Sequence, residues 1–192
     1  MELKGSPENL LTDEELVAAI VRNRNAELFG QIYDRYAQRV YNKCRGFARS
    51  EAEAEDLTQD VFLHLFLKLP TFKGASRFST WVYSLTYNFC VNYVNRDKQR
   101  KMSDKAVRDT EIEEEELLEE IDEQEFMQMQ AEKLAIALQQ IDAADRALLL
   151  LKYQDGLSIK ELQESMELGE SAIKMRLKRA RAKVMDEYRK IT

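Results

Sequence analysis

Gly156-Leu-Ser-Ile-Lys-Glu-Leu-Gln-Glu-Ser-Met-Glu-Leu-Gly-Glu-Ser-Ala-Ile-Lys-Met-Arg-Leu-Lys-Arg-Ala-Arg-Ala-Lys183 reads as two short helices joined by a tight turn. Ser158 followed by Glu161 is a capping-box pattern that starts the first helix. Ile159, Leu162 and Met166 then fall on one face at helical spacing. After the Leu168-Gly169 break, Ile173, Leu177, Ala180 and Val184 form a second apolar stripe. Around it stand Lys174, Arg176, Lys178, Arg179, Arg181 and Lys183, with no acid before Asp186. One buried face with cations over the rest suits a helix laid in the major groove between phosphate rows. A solvated, lysine-rich terminal helix is the plainer reading, but the capped helix and turn in front of it favour a helix-turn-helix.

The rest of the 192-residue chain predicts an all-α protein of two small helical domains. It has two prolines, six glycines, 44% hydrophobic and 33% charged residues, and no run of alternating β-branched residues. No segment approaches the roughly 18 uninterrupted apolar residues of a membrane span, and the first residues lack a signal-peptide core. Cys44 and Cys90 have no metal-type spacing and fit free cytosolic thiols. His64, the only histidine, sits in an apolar run and reads as packing; a Cys/His zinc site is excluded by count. With no glycine-rich phosphate loop and no histidine to pair with a Cys or Ser, no catalytic residue, metal or cofactor is expected.

A net charge of -6 is unexpected for a DNA-binding chain, but it is unevenly placed. Ten acids between Glu111 and Glu125 share a segment that holds no Lys or Arg, and without them the remainder carries +4. Two mildly basic parts are thus joined by an acidic tether, residues 102–130. As a spacer it extends through self-repulsion; it could also screen the basic recognition helix in the free protein.

In the first part, Thr12-Asp-Glu-Glu15 caps a short helix, and a longer one is predicted from about Ala26 to Ala48. A third starts at Ser50 and stops at Pro70. It keeps Asp56, Gln59 and Asp60 together at i, i+3, i+4, either a solvated face or one that docks on a basic protein partner, with Phe62 and Phe66 nearby. The helix from about Ser79 to Lys101 interleaves Trp81, Tyr83, Tyr87, Phe89 and Tyr93 with Asn88, Asn92 and Asn95, then ends in Arg96, Lys98, Arg100 and Lys101. Aromatics at helical spacing are ordinarily core, and Trp81, Leu85 and Phe89 read so. Asparagines are poor helix-interior residues, which points to a role for them, such as holding unpaired bases.

With these blocks in order, the sequence resembles the bacterial RNA polymerase sigma factors of the extracytoplasmic-function (ECF, sigma-70-like) group. Ala54-Glu-Asp-Leu-Thr-Gln-Asp-Val-Phe62 looks like the helix that docks on the polymerase clamp. The resemblance therefore implies that Asp56, Gln59, Asp60, Phe62 and Phe66 bind core polymerase. Phe78-Ser-Thr-Trp-Val-Tyr83 followed by Asn88 looks like the part that melts and reads the start-proximal (-10) element, which implies roles for Arg77, Ser79, Trp81, Asn88, Asn92 and Arg96. Leu148-Leu-Leu-Leu-Lys-Tyr153, Gly156-Leu-Ser158 and Ile173-Lys-Met-Arg-Leu-Lys-Arg-Ala-Arg181 look like the module that reads the upstream (-35) element. There Ser171, Lys174, Met175 and Arg176 are expected to meet bases, and Lys178, Arg179 and Arg181 phosphates.

The resemblance divides the chain into an N-terminal extension (1–23), a region 2-like domain (24–101), the linker (102–130) and a region 4-like domain (131–192). It implies a cytoplasmic, non-enzymatic initiation factor whose partners are core polymerase, duplex and melted promoter DNA, with room for an anti-sigma protein and no membrane insertion. The alternative is a stand-alone operator-binding regulator, which leaves the acidic helix and the asparagine-aromatic helix without a role. Three positions depart from the family pattern. Gln163 replaces a usual Ala, Met175 a small polar residue, and Glu167 the glycine or small residue of the turn, which Gly169 is then expected to supply.

Overall fold

The computed structural model describes residues 11–23, 25–103 and 123–191. The acidic residues from Glu111 to Asp122 lie outside the described residues. Those described form helices and turns without a strand, as the all-α reading expects. In chain order the helices are α1 (Asp13–Asn23), α2 (Ala26–Arg45), α3 (Glu51–Lys68), α4 (Phe78–Ser103), α5 (Glu123–Met127), α6 (Ala131–Gln140), α7 (Ala143–Leu149), α8 (Ile159–Met166) and α9 (Glu170–Lys190).

The helix starts follow their caps. Thr12 and Glu15 exchange hydrogen bonds ahead of α1. The Asn25 side chain accepts from the Glu27 amide (2.8 Å), and Ser50 Oγ accepts from that of Glu53 (3.1 Å). Each satisfies a backbone donor that the first turn of a helix leaves without an internal partner. Helix α2 stops at Arg45, three residues before the expected end, so that Phe47 can turn back into the core beside Tyr87 (5.9 Å between rings). Pro70 lies in a 3-10 turn, Leu69–Thr71, that closes α3. Within the expected N-terminal extension, the described residues include α1, whose Leu16, Val17 and Ile20 are buried and whose Glu14 accepts from the Phe78 amide (3.3 Å).

In the second unit the Ser158–Glu161 capping box is present, with Ser158 N to Glu161 Oε2 at 2.9 Å and Glu161 N to Ser158 Oγ at 3.2 Å. The turn after α8 departs from expectation. Glu167, not Gly169, takes the left-handed conformation (φ 55°), and Gly169 is an extended N-cap (φ -71°). A side chain with a Cβ is strained there, so Glu167→Gly is expected to stabilise the chain by about 0.5–1 kcal/mol, a rise in Tm of about 2–3 °C on a calorimetric scan. Between α7 and α8 the chain widens into a π-helical turn, Leu150–Gln154, closed by Asp155 N to Leu150 O at 3.0 Å. The described end of the tether joins this unit: Phe126 of α5 is buried and packs on Tyr153, 5.0 Å between rings.

The two helical units share one core. Helix α4 packs on α2 and α3 along one side and on α7 and α8 along another. At the centre, Lys43 of α2 meets Asp155 across 112 residues of chain at 2.5 Å, each side chain only 7% exposed. The ammonium also lies 4.2 Å from the Tyr83 ring centroid and 4.9 Å from that of Tyr87. Beside it the Arg146 guanidinium covers Phe47 at 4.2 Å. Burial pushes the Lys43 pKa below its ordinary value, and the Asp155 carboxylate opposes that shift. Cys44 and Cys90 are free and buried, their sulfurs 4.0 Å apart.

Candidate nucleic-acid and polymerase interfaces

The outer face of α3 carries Asp56, Gln59 and Asp60, all exposed. The same face continues at helical spacing through Leu63 and Leu67, which are 61% and 65% exposed. An acidic patch running into bare leucines suits a partner that is basic and apolar in turn. The aromatic pair expected beside the acids lies elsewhere. Phe62 is 4% exposed and wedged against Tyr33 (4.6 Å) and Phe29 (6.4 Å), while Phe66 is half-buried on Phe29 (5.0 Å). These two rings bind α3 to α2 and hold the acidic face in place; Leu63 and Leu67 are the apolar groups offered outward. A shallow hollow of about 340 Å³ between Tyr33, Tyr41, Glu55 and Gln59 adjoins this face.

Helix α4 separates its residues by face. Val82, Tyr87 and Cys90 are buried, whereas Asn88, Asn92 and Arg96 are exposed at i, i+4, i+8 on one line. Trp81 is half-buried at the head of that line, stacked on Phe78 (5.7 Å between rings, 27° between planes) and beside Phe72 (5.5 Å). Phe89 is half-buried against His64 (5.3 Å), so both are packing residues with one edge at the surface. Arg77 is exposed in the approach to α4 and Ser79 half-buried in its first turn. Trp81, Asn88, Asn92 and Arg96 border one cleft of about 680 Å³. An aromatic edge, two amides that donate and accept, and a terminal cation can hold an unpaired base and its phosphate.

Helix α9 buries Ile173, Leu177, Ala180 and Val184, as the apolar stripe predicts. Ser171, Lys174, Met175, Arg176 and Arg179 are exposed, and Lys178 is half-buried. Lys174 pairs with Glu170 one turn back at 2.6 Å, an exposed pair that a phosphate can displace at little cost. Not every cation faces outward. Arg181 donates to the Tyr153 hydroxyl (2.8 Å) and Lys183 pairs with Asp145 (2.6 Å), so these two brace α9 against the turn after α7 and against α7 itself. Helical periodicity does not reveal such braces, because their partners lie 28 and 38 residues away.

A capped helix, a turn and a basic second helix, set beside a bundle with an amide-lined cleft, define a two-part helical DNA-binding protein. Comparison with known proteins narrows the class. The family model described as Sigma-70 region 2 matches residues 32–100, and that described as Sigma-70, region 4 matches residues 131–184. Together they take in well over half of the chain, in the order expected. The ECF RNA polymerase sigma factor SigW of Bacillus subtilis (strain 168) is 24% identical over 181 residues, 88% of this chain and 93% of SigW. The ECF RNA polymerase sigma-E factor of Escherichia coli (strain K12) is 27% identical over 176 residues, 89% of this chain and 91% of that factor. The solved structure of CnrH in complex with the cytosolic domain of CnrY shares the fold, with a TM-score of 0.61 at 20% identity over 94% of this chain and 99% of CnrH. The chain belongs to the sigma-70 family and, within it, to the ECF RNA polymerase sigma factors.

Proposed function

We infer that this protein is an initiation factor: it binds core RNA polymerase and directs promoter-specific transcription initiation. The observation that carries this reading is the pair of sigma region matches, region 2 over residues 32–100 before region 4 over residues 131–184. A stand-alone operator-binding regulator is not favoured, since it has no use for the region 2 bundle. The direct test is run-off transcription with purified core polymerase on a library of promoter fragments. Specific transcripts that require the added chain support the reading; core that neither binds the chain nor changes its start sites overturns it.

At residue level, Asp56, Gln59 and Asp60 take hold of basic groups on polymerase, with Leu63 and Leu67 covering apolar surface beyond them. Trp81, Asn88, Asn92 and Arg96, reached past Arg77 and Ser79, hold bases of the -10 element that have left the duplex stack. Ser171, Lys174, Met175 and Arg176 face bases of the -35 element, and Lys178 and Arg179 hold phosphates. Arg181 acts through Tyr153 as a brace and not as a primary phosphate contact. These groups bind and orient, so the factor carries no chemistry of its own and works in the cytoplasm, where polymerase is. No helix among the described residues is long and apolar enough to cross a membrane. An anti-sigma protein is a fitting antagonist, and the complex of CnrH with CnrY illustrates a related fold held by another chain.

The two kinds of contact on α9 separate by salt. Arg179→Ala is expected to weaken all promoters alike and to lower the slope of log affinity against log salt by about 0.9, one phosphate contact. Lys174→Ala is expected to change the selected upstream sequence. Anisotropy titrations of the holoenzyme across a salt series, with a parallel sequence selection, measure both.

A further inference from the structure

Helix α4, which carries the residues assigned to the -10 element, begins without a cap of its own. The Arg77 carbonyl accepts from the Trp81 amide (3.2 Å), which puts Arg77 at the N-cap position. An arginine side chain has no acceptor, and its charge is unfavourable at the positive end of the helix dipole. The amide of Phe78, the first residue of the helix, therefore needs an oxygen from elsewhere. Glu14 of α1 supplies it at 3.3 Å, from 64 residues away in the chain.

The neighbouring acid holds the same junction by a second route. Asp13 accepts from Arg35 Nη1 (2.6 Å) and from the Tyr36 hydroxyl, while Arg35 Nη2 donates to the Leu11 carbonyl (2.8 Å). The Tyr36 ring meets Phe78 edge to face, 5.6 Å between centroids. Phe78 is 1% exposed, with the Phe72 ring at 5.3 Å, and Trp81 stacks on it. One acid thus fixes a ring that meets Phe78, and the other fixes the Phe78 amide. Phe78 is in turn the support for Trp81, which heads the line of Asn88, Asn92 and Arg96. Helix α1 lies outside both family matches, since that of region 2 begins at residue 32. Its buried face of Leu16, Val17 and Ile20 accounts for its packing. That face does not account for two carboxylates that converge on the start of α4.

We propose that Glu14, and Asp13 acting through Tyr36, are positioning residues for base capture. Helix α1 sets the start of α4 and the seat of Trp81, so that Trp81 and Asn88 meet the unpaired bases of the -10 element in register. This role rests on the initiation-factor reading for the bases. The seating of Trp81 is a property of the chain alone.

Trp81 is the only tryptophan of the chain, so its fluorescence reports that seat in the full chain without polymerase. Glu14 is exposed, and its truncation opens no cavity. Glu14→Ala is expected to lower Tm by about 2–4 °C, the loss of one helix cap, and to keep the helical circular dichroism of the parent. Its Trp81 emission should shift to the red and its acrylamide quenching constant should rise. With core polymerase, open complexes measured by permanganate should fall by about 3- to 10-fold, the range of one lost cap, while core affinity and closed complexes stay at parental values. Glu14→Gln keeps an oxygen acceptor and is expected to bring fluorescence and melting back toward the parent. Glu14→Lys sets a second cation at the helix start and is expected to act more strongly than alanine. Tyr36→Phe removes only the hydroxyl that Asp13 holds and should move Trp81 emission in the same direction as Glu14→Ala.

Parental Trp81 fluorescence in both Glu14→Ala and Glu14→Lys overturns the seating. Altered fluorescence with a parental yield of open complexes overturns its link to base capture. Glutamine that behaves as alanine does overturns the cap. A parent chain that directs no transcript in the run-off assay counts against the initiation-factor reading, and the fluorescence of the free chain still decides the seating.

Discussion

Replacing Asp56 and Asp60 together by alanine is expected to weaken core polymerase binding by about 10²–10⁴-fold and to leave the helical fold intact. Both carboxylates are exposed on α3, so their loss removes no buried partner. A charge-assisted hydrogen bond contributes on the order of 1.5–3 kcal/mol, and two lost together give that range. Leu63→Ala with Leu67→Ala should act in the same direction through lost apolar contact, whereas Phe62→Ala should act through stability, at about 3–5 kcal/mol for a buried aromatic. Equilibrium binding to labelled core, paired with thermal melts, separates the two. Unchanged affinity in the Asp56/Asp60 double variant would remove α3 from the polymerase interface.

The second large effect concerns melting. Asn88→Ala is expected to leave core binding and the closed promoter complex as they are. Open complexes should fall by about 5- to 150-fold, the roughly 1–3 kcal/mol of a side-chain amide that reads a base edge. Because Asn88 is exposed, its truncation leaves no cavity and strands no buried group. Permanganate reactivity of unpaired thymines measures the opened strand, and a library of -10 sequences measures the change in preference. Normal melting on the parental sequence would make Asn88 a surface residue with no part in base holding.

Much of this architecture is legible from short-range sequence, because caps and apolar stripes are local. Ser158 with Glu161, Thr12 with Glu15, and the Ile173–Leu177–Ala180–Val184 stripe all stand where spacing puts them. Legibility fails where one helix carries two apolar faces. The second half of α3, from Val61 to Leu67, is apolar nearly all round, so periodicity cannot separate Phe62, which packs on Tyr33, from Leu63, which faces outward. It fails again where partners are remote: nothing near Arg181 announces Tyr153, and nothing near Lys43 announces Asp155. Glu167 in a left-handed turn is the converse case, a position where backbone geometry overrides the residue preference that pointed to Gly169.

The π-helical turn at Leu150–Gln154 lets this region carry an extra residue without changing its helical phase. A π turn holds one residue more than the α turn it replaces, as though a codon had been inserted into a regular helix. Deleting one residue from it would return α geometry while the chain beyond kept nearly its present direction. A deletion from the regular turns of α7 has no such slack and rotates everything downstream by about 100° about the helix axis. Asp155 would then point away from Lys43, while the capping box and the recognition helix kept their own internal structure. The wide turn is thus where this stretch tolerates a change of length and still presents Asp155 to Lys43.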